Sequence, residues 1–248
     1  MIQGKKAAEG ASDMGKSLLQ IEHLSAWYGR GDRVLSDLSL ELSEHETAGL
    51  IGLNGAGKTT FLKVLSGLLP TFCAERIRFG DHPVGFRDLD FKLSRYTVFA
   101  EDHSFSYFTF WEYITYVFSA YQKRLPDVSE LVRGFRFKEY TDVLLKDLST
   151  GSKKKAFLIT AFALKPSLLL LDEPVNGLDF ESTEYLYEQI AGYKKYGTVL
   201  FSSHILESIT LTSDRVFVLE NGQIRQEFAG GQINAAKIRE AVRYENDI

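Results

Sequence analysis

The run Gly52-Leu53-Asn54-Gly55-Ala56-Gly57-Lys58-Thr59-Thr60 fits the pattern G-x-x-x-x-G-K-S/T. It lies between an apolar segment, Ala48 to Leu53, and a helix-like one, Thr60 to Leu69. Strand, glycine-rich turn and helix in that order read as a phosphate-binding loop. Holding a triphosphate takes several backbone N–H groups aimed at one point, glycines that tolerate left-handed dihedrals, a helix N-terminus for its dipole, and a mobile ammonium. Gly52, Gly55, Gly57 and Lys58 supply those parts. The Thr59 hydroxyl is then placed to ligate Mg²⁺, and Lys58 to reach the β and γ phosphates. The alternative is a glycine-rich turn without a ligand, against which the flanking strand and helix patterns argue.

Working outward, 248 residues can bury a proper core and suit one folding unit with an inserted lobe. A formal charge of -4 leaves no basic footprint for a polyanion, so nucleic acid is not an expected partner. The single cysteine, Cys73, excludes an internal disulfide framework, which suits a reducing cytosol. No stretch approaches the roughly eighteen uncharged apolar residues of a membrane span. The polar, Gly/Ala-rich start is unlike a signal segment, and residues 1–17 read as a disordered lead-in to a soluble fold that begins near Leu18.

Alternation of apolar and polar residues at Leu19–Glu22 and Leu38–Leu42, with a Gly29-Arg30-Gly31-Asp32 turn between, predicts an antiparallel β layer ahead of the loop. The loop helix is expected to end at Pro70, followed by a strand at Glu75–Phe79 and an apolar run at Tyr96–Ala100. Residues 103–147 carry helical spacing and an aromatic cluster that includes Phe105, Tyr107, Phe108, Phe110, Trp111 and Tyr116. The rings form either the insert's own small core or a surface for a partner. Afterwards α/β alternation resumes: helix Ser152–Leu164, strand Leu168–Leu171, helix Glu181–Tyr193, strand Thr198–Phe201, a short helix near Ile205–Leu211, and a hairpin around Asn221-Gly222. Four consecutive leucines, Leu168 to Leu171, suggest a parallel strand buried on both faces.

Asp172 and Glu173 follow that strand directly, at the carboxyl end where open α/β sheets bind ligands. Asp172 is placed to hold Mg²⁺ through water, and Glu173 to orient or deprotonate an attacking water. An isolated Asp-Glu pair could equally be a solvated turn; beside a phosphate loop the functional reading is preferred. Upstream stands Leu148-Ser149-Thr150-Gly151-Ser152, followed by Lys153, Lys154 and Lys155. Ser149 or Ser152 would serve as an ordinary helix cap, but lysines in a first turn oppose the helix dipole. An anion docked there would remove the conflict, which makes this helix start a candidate second phosphate site.

In this order the motifs resemble the ATP-binding cassette of ABC transporters over about Leu18 to Phe228. The resemblance implies an α/β fold with a RecA-like P-loop NTPase core, an N-terminal antiparallel β layer and a helical subdomain inserted at about 103–164. The ATPase domain would span 18–230, with a helical tail at 231–248. It implies that Tyr28 stacks on adenine and that Asn54, Gly55, Ala56, Gly57, Lys58, Thr59 and Thr60 hold ATP from the Walker A loop. Leu168 to Glu173 resembles Walker B, Ser149 and Gly151 lie in an LSGGQ-like signature, Asn176 to Asp179 resembles the D-loop, and His204 the switch histidine. Two subunits would pair head to tail, with ATP contacted by Lys58 and His204 of one and by Ser149 and Gly151 of the other. Thr59, Asp172 and Glu101 would attend Mg²⁺, Glu173 would act on the water, and a separate membrane permease of exporter type would carry the subunit on the inner face of the cell membrane.

Three positions depart from the pattern: Glu101 where glutamine is usual, LSTGS for LSGGQ, and Phe180 where proline is common. A GTPase would need a guanine-reading N-K-x-D segment, which is absent. The remaining rivals are a cassette acting on ribosome or DNA complexes, normally with paired cassettes or coiled-coil inserts, and a module that dimerises on ATP with little hydrolysis.

Overall fold

The structure is a computed structural model and describes residues 15–243. The expected lead-in at 1–17 therefore falls largely outside the described residues, and its last residue, Ser17, already opens the first strand.

β1 (Ser17–Trp27) and β2 (Arg33–Ser43) pair antiparallel, and β4 (Phe72–Cys73), β5 (Arg76–Phe79) and β6 (His82–Pro83) complete a layer ordered β2-β1-β5-β6 with β4 beside β1. A bulge interrupts the β1–β2 register between Ile21 and Leu24. There His23 and Asp37 both adopt left-handed backbone, at φ 54 and 58, and the His23 ring N–H donates to Asp37 Oδ1 over 2.6 Å.

The second sheet runs β11-β10-β3-β9-β8-β7, built from β3 (Thr47–Ile51), β7 (Arg95–Val98), β8 (Leu168–Asp172), β9 (Thr198–Ser203), β10 (Arg215–Glu220) and β11 (Gln223–Ala229). Only β11 is antiparallel to its neighbour; the other pairings are parallel. β8 lies between β7 and β9, and Leu168 to Leu171 are all at 0% exposure. Successive side chains of a strand face opposite ways. Leu168 and Leu170 thus join the apolar layer shared with Leu19, Ile21 and Phe61, while Leu169 and Leu171 face Phe157, Phe162 and Leu186.

α1 (Lys58–Leu65) stops short of the expected Pro70, because Gly67 at φ 74 takes the left-handed position that closes the last turn. Helical spacing across 103–147 is realised only in α3 (Phe110–Ala120) and α4 (Ser129–Gly134), after a short α2 (Leu89–Ser94). A capping box between Thr109 and Glu112 starts α3, and left-handed Gln122 and Arg136 follow the ends of α3 and α4. Between and beyond them the aromatic-rich chain follows turns and single 3-10 turns at Lys138–Tyr140 and Leu145–Asp147. Phe110, Tyr113 and Phe118 are buried in the insert's own core, whereas Tyr107, Trp111 and Tyr116 are exposed.

α5 (Thr150–Leu164), α6 (Phe180–Gly192) and α7 (Leu206–Thr212) alternate with the strands as expected, and α8 (Ala235–Arg243) buries Ile238 in the same apolar layer as Leu169. No helix among the described residues is long and apolar enough to cross a membrane.

The bulge pair makes a pH prediction. The hydrogen bond and charge of Asp37 raise the His23 pKa above its ordinary 6.5. The pair's contribution is therefore complete below that value and is lost as pH rises through the folded-state pKa. Asp37→Asn keeps a residue tolerant of left-handed backbone but removes the charge. The gap in melting temperature between wild type and Asp37→Asn is expected to be larger at about pH 5.5 than at about pH 9. An equal gap at both would remove His23 ionisation from the fold's stability.

Candidate nucleotide-binding site

β3 is buried along its whole length and delivers Gly52 to the top of the parallel sheet. A Cβ on Gly52 would lie 2.2 Å from the Leu219 carbonyl oxygen, so the loop can lie against β10 only with glycine there. Gly55 and Gly57 take φ 86 and 109, and Gly57 caps α1 without a side-chain acceptor. The first N–H groups of α1 thus keep their capacity for an anion, with no acidic residue in the first turn to compete. The Lys58 ammonium folds back over the loop, donating to the Gly52 carbonyl at 2.7 Å and the Leu53 carbonyl at 3.3 Å, and stands 3.6 Å from Glu173 Oε1.

Asp172 ends β8 at 0% exposure. Its Oδ2 accepts from the Thr59 hydroxyl at 2.9 Å, and its Oδ1 accepts from the Ser202 hydroxyl at 2.7 Å. Glu173 leaves the strand with left-handed backbone at φ 45, a conformation that costs a non-glycine residue on the order of 1–3 kcal/mol. Its N–H donates to Ser202 Oγ at 3.0 Å and its carbonyl accepts from Lys154 Nζ at 2.9 Å. The turn sends the carboxylate toward Lys58 on one side and His204 on the other, whose ring N–H donates to Glu173 Oε2 at 2.7 Å. Val34, Asn54, Gly55, Gly57, Lys58, Thr59, Thr60 and Glu173 enclose a cleft of about 300 Å³. At its edge the Tyr28 hydroxyl lies 3.4 Å from Thr60 Oγ1, and the ring is half-exposed.

Ser149 and Gly151 are not in that cleft. They line a separate groove of about 1070 Å³ with Trp111 and Asp179. Ser149 caps α5 by accepting from the Ser152 N–H at 3.1 Å, and a Cβ on Gly151 would lie 2.0 Å from the Gly177 carbonyl oxygen. The expected conflict between three lysines and the helix dipole is corrected for two of them. Lys154 and Lys155 are buried and already partnered, Lys154 on the Glu173 carbonyl and Lys155 on Asp179. Burial pushes the Asp179 carboxyl up, but the Lys155 ammonium and the Ser182 N–H and hydroxyl together hold it far below its ordinary range. Glu101 is exposed and its side chain makes no hydrogen bond or ion pair among the described residues; its charge is felt by Lys154.

Residues 35–176 match the family described as ABC transporter. The chain belongs to that family. The ABC transporter ATP-binding protein AlbC of Bacillus subtilis is 34% identical over 217 residues, which cover 85% of this chain and 91% of AlbC. EcsA, an ABC-type transporter ATP-binding protein of the same organism, is 32% identical over 84% of this chain and 86% of its own length. A solved ATP-binding subunit of an ABC transporter superposes with a TM-score of 0.76 at 27% identity, covering 92% of this chain and 95% of the other. The chain is thus an ABC ATPase, an ATP-binding subunit of a transporter.

Sequence reasoning missed several residues that build this ABC ATPase's cleft. Ser202 bridges Asp172 and Glu173 from the neighbouring strand. Lys154 carries a signal, a lysine in a largely apolar helix, and its side chain is buried on the Glu173 carbonyl. Val34 lines the cleft from β2, and the Gly222 N–H donates to the Ala56 carbonyl at 3.1 Å, so the β10–β11 turn braces the loop. Nothing local in the sequence marks either of these contacts.

Ser202→Ala leaves one Asp172 oxygen and the Glu173 N–H short of a partner in a buried place. It is expected to cost about 1–3 kcal/mol in urea unfolding. ATP turnover should fall more than ATP affinity. Unchanged stability and turnover would show that water replaces the hydroxyl.

Proposed function

We propose that this chain hydrolyses ATP to drive a separate membrane-spanning permease, working as one of two head-to-tail subunits, in a system of exporter type. The observation that carries the reading is a division of labour. Lys58, Thr59 and Glu173 line one cleft, with Asp172 bonded to Thr59 and His204 to Glu173 behind it, while Ser149 and Gly151 open on a separate groove. A second subunit is then needed to bring a Ser149–Gly151 helix start onto the ATP held by the first. The export reading is supported by the peptide export ATP-binding protein SkfE of Bacillus subtilis, 30% identical over 85% of this chain and 88% of its own length.

In this reading the loop N–H groups and the α1 N-terminus take the phosphates, and Lys58 exchanges the Gly52 carbonyl for phosphate oxygens. Tyr28, on the open edge of the cleft, offers its face to adenine. Thr59 and Asp172 present hard oxygen donors side by side, which fits Mg²⁺ held by one carboxylate, a hydroxyl, water and phosphates. Bound there, the ion would neutralise charge on the β and γ phosphates. Glu173 takes the proton of the attacking water; His204 holds its Oε2 and leaves Oε1 facing the cleft. Glu101 lies outside the Thr59–Asp172 pair, and its proposed part is limited to contact through water. Loss of the γ phosphate removes the charge bridging the two subunits, and the pair opens. The ATPase unit is assigned to 18–230, with 103–164 as its inserted lobe and 231–248 as a tail. Tyr107, Trp111 and Tyr116 are proposed to face the permease, which would hold the subunit at the inner face of the membrane.

Glu173→Gln is expected to keep ATP affinity within about threefold, to lower phosphate release on the order of a hundredfold or more, and to trap a dimer in sizing columns. Release at the wild-type rate would exclude Glu173 as the base. Ser149→Phe should spare ATP binding and abolish turnover, and turnover that survives would sink the two-subunit site. Purification from gently solubilised membranes should bring down a multi-span protein without an ATPase of its own; ribosomal or DNA-repair partners alone would overturn the transporter reading.

A further inference from the structure

Lys154 has no part in the proposed chemistry, yet its ammonium is buried at 3% exposure on the inner side of α5. A cation in that position needs an acceptor. Its hydrogen bond is to the backbone carbonyl of Glu173, at 2.9 Å, and not to a carboxylate. Burial lowers its pKa, against the more distant charges of Asp172, Glu173 and Glu101, which raise it. The carbonyl it holds belongs to the residue with left-handed backbone at the end of β8. That residue's N–H is held by Ser202 of β9 at 3.0 Å. Glu173 is therefore clamped through both of its backbone polar groups, by side chains from two different elements. Its carboxylate, which receives the His204 ring N–H at 2.7 Å, points where this clamp sends it.

We propose that Lys154 is a positioning residue for ATP hydrolysis: it holds the Glu173 backbone in the left-handed turn that aims the carboxylate at His204 and the phosphate cleft. The proposal rests on the reading that Glu173 acts on the attacking water. It also gives α5 a mechanical role. Ser149 and Gly151, at the start of α5, stand within about 8 Å of Lys154 along the helix axis at 1.5 Å per residue. A rigid helix carries any displacement of its first turn to the Lys154 ammonium, and so to the carbonyl of Glu173. Docking of a second subunit's nucleotide at the helix start is thereby registered at the base of the same subunit.

The test uses the full chain labelled with 15N-histidine, without nucleotide, so it requires neither turnover nor a second subunit. The His204 ring signals are assigned by their loss in His204→Ala. In Lys154→Met, which preserves length and apolar bulk, the His204 Nδ1 signal is expected to move away from its hydrogen-bonded position. In the same variant kcat falls on the order of 10- to 100-fold with KM for ATP within about twofold. Lys154→Arg, which keeps a donor, restores part of both. Should Lys154→Met not fold, Lys154→Gln, polar but too short to reach, is read by the same two measurements. An unmoved His204 signal in a folded variant overturns the positioning role whatever the turnover. A moved signal with normal phosphate release by Glu173→Gln instead supports the anchor and overturns the assignment of Glu173 as base.

Discussion

β8 is buried on both faces, and everything at the site is measured from its end. A strand packed between two apolar layers and two parallel neighbours has no freedom to slide: a shift of one residue would exchange the sets Leu168/Leu170 and Leu169/Leu171 between layers that differ in shape. The carboxylate of Asp172 is therefore delivered to a fixed point beside Thr59. The parallel sheet does the rest, because β9 beside β8 and β3 beyond it run the same way and bring the Ser202–His204 segment and the loop to that point.

Charge is handled in the same economy. Lys58, Lys154 and Lys155 are all buried, and each ammonium meets an acceptor, two of them on main-chain carbonyls. A carbonyl partner satisfies the donor without cancelling the cation. Lys58 can therefore leave the Gly52 carbonyl for a stronger anion, whereas a carboxylate at hydrogen-bond distance would compete with phosphate. Glu173 stands 3.6 Å away, close enough to share the field and too far to hold the ammonium. Arg95 shows the structural version of the same device: burial lowers its pKa to about 10, and its guanidinium donates to the Phe86 carbonyl and lies over the Phe91 ring.

Close backbone approach supplies the remaining constraints. Gly52 against β10 and Gly151 against Gly177 leave no room for a side chain, so the loop and the start of α5 lie at backbone distance from their neighbours. The second contact ties the α5 N-terminus to the segment after Glu173. Lys155 and Asp179 tie the same pair of segments again, which makes one unit of the α5 start and the α6 cap. In the proposed pair of subunits this unit would meet its partner as one surface.

Much of the fold was legible in the chain because its signals are local. Alternation of period two placed β1 and β2, an unbroken run of four leucines placed β8, glycine spacing placed the loop, and Asn221-Gly222 placed the last hairpin. The aromatic segment misled, since apolar residues at helical spacing occur equally where rings fill gaps under turns; left-handed Gln122 and Arg136, which break the helices, carry no sequence mark. The sequence by itself determined the chemistry on offer at the loop and after β8, because those groups are contiguous and their backbone geometry follows from residue type. Tertiary structure alone decided that Ser202 would bridge to Asp172, 30 residues away, and that Lys154 would reach Glu173, 19 residues away. It also decided that Ser149 and Gly151 would face a different groove from Lys58. Those outcomes depend on strand order and on which face of α5 is buried, which no contiguous stretch of residues encodes.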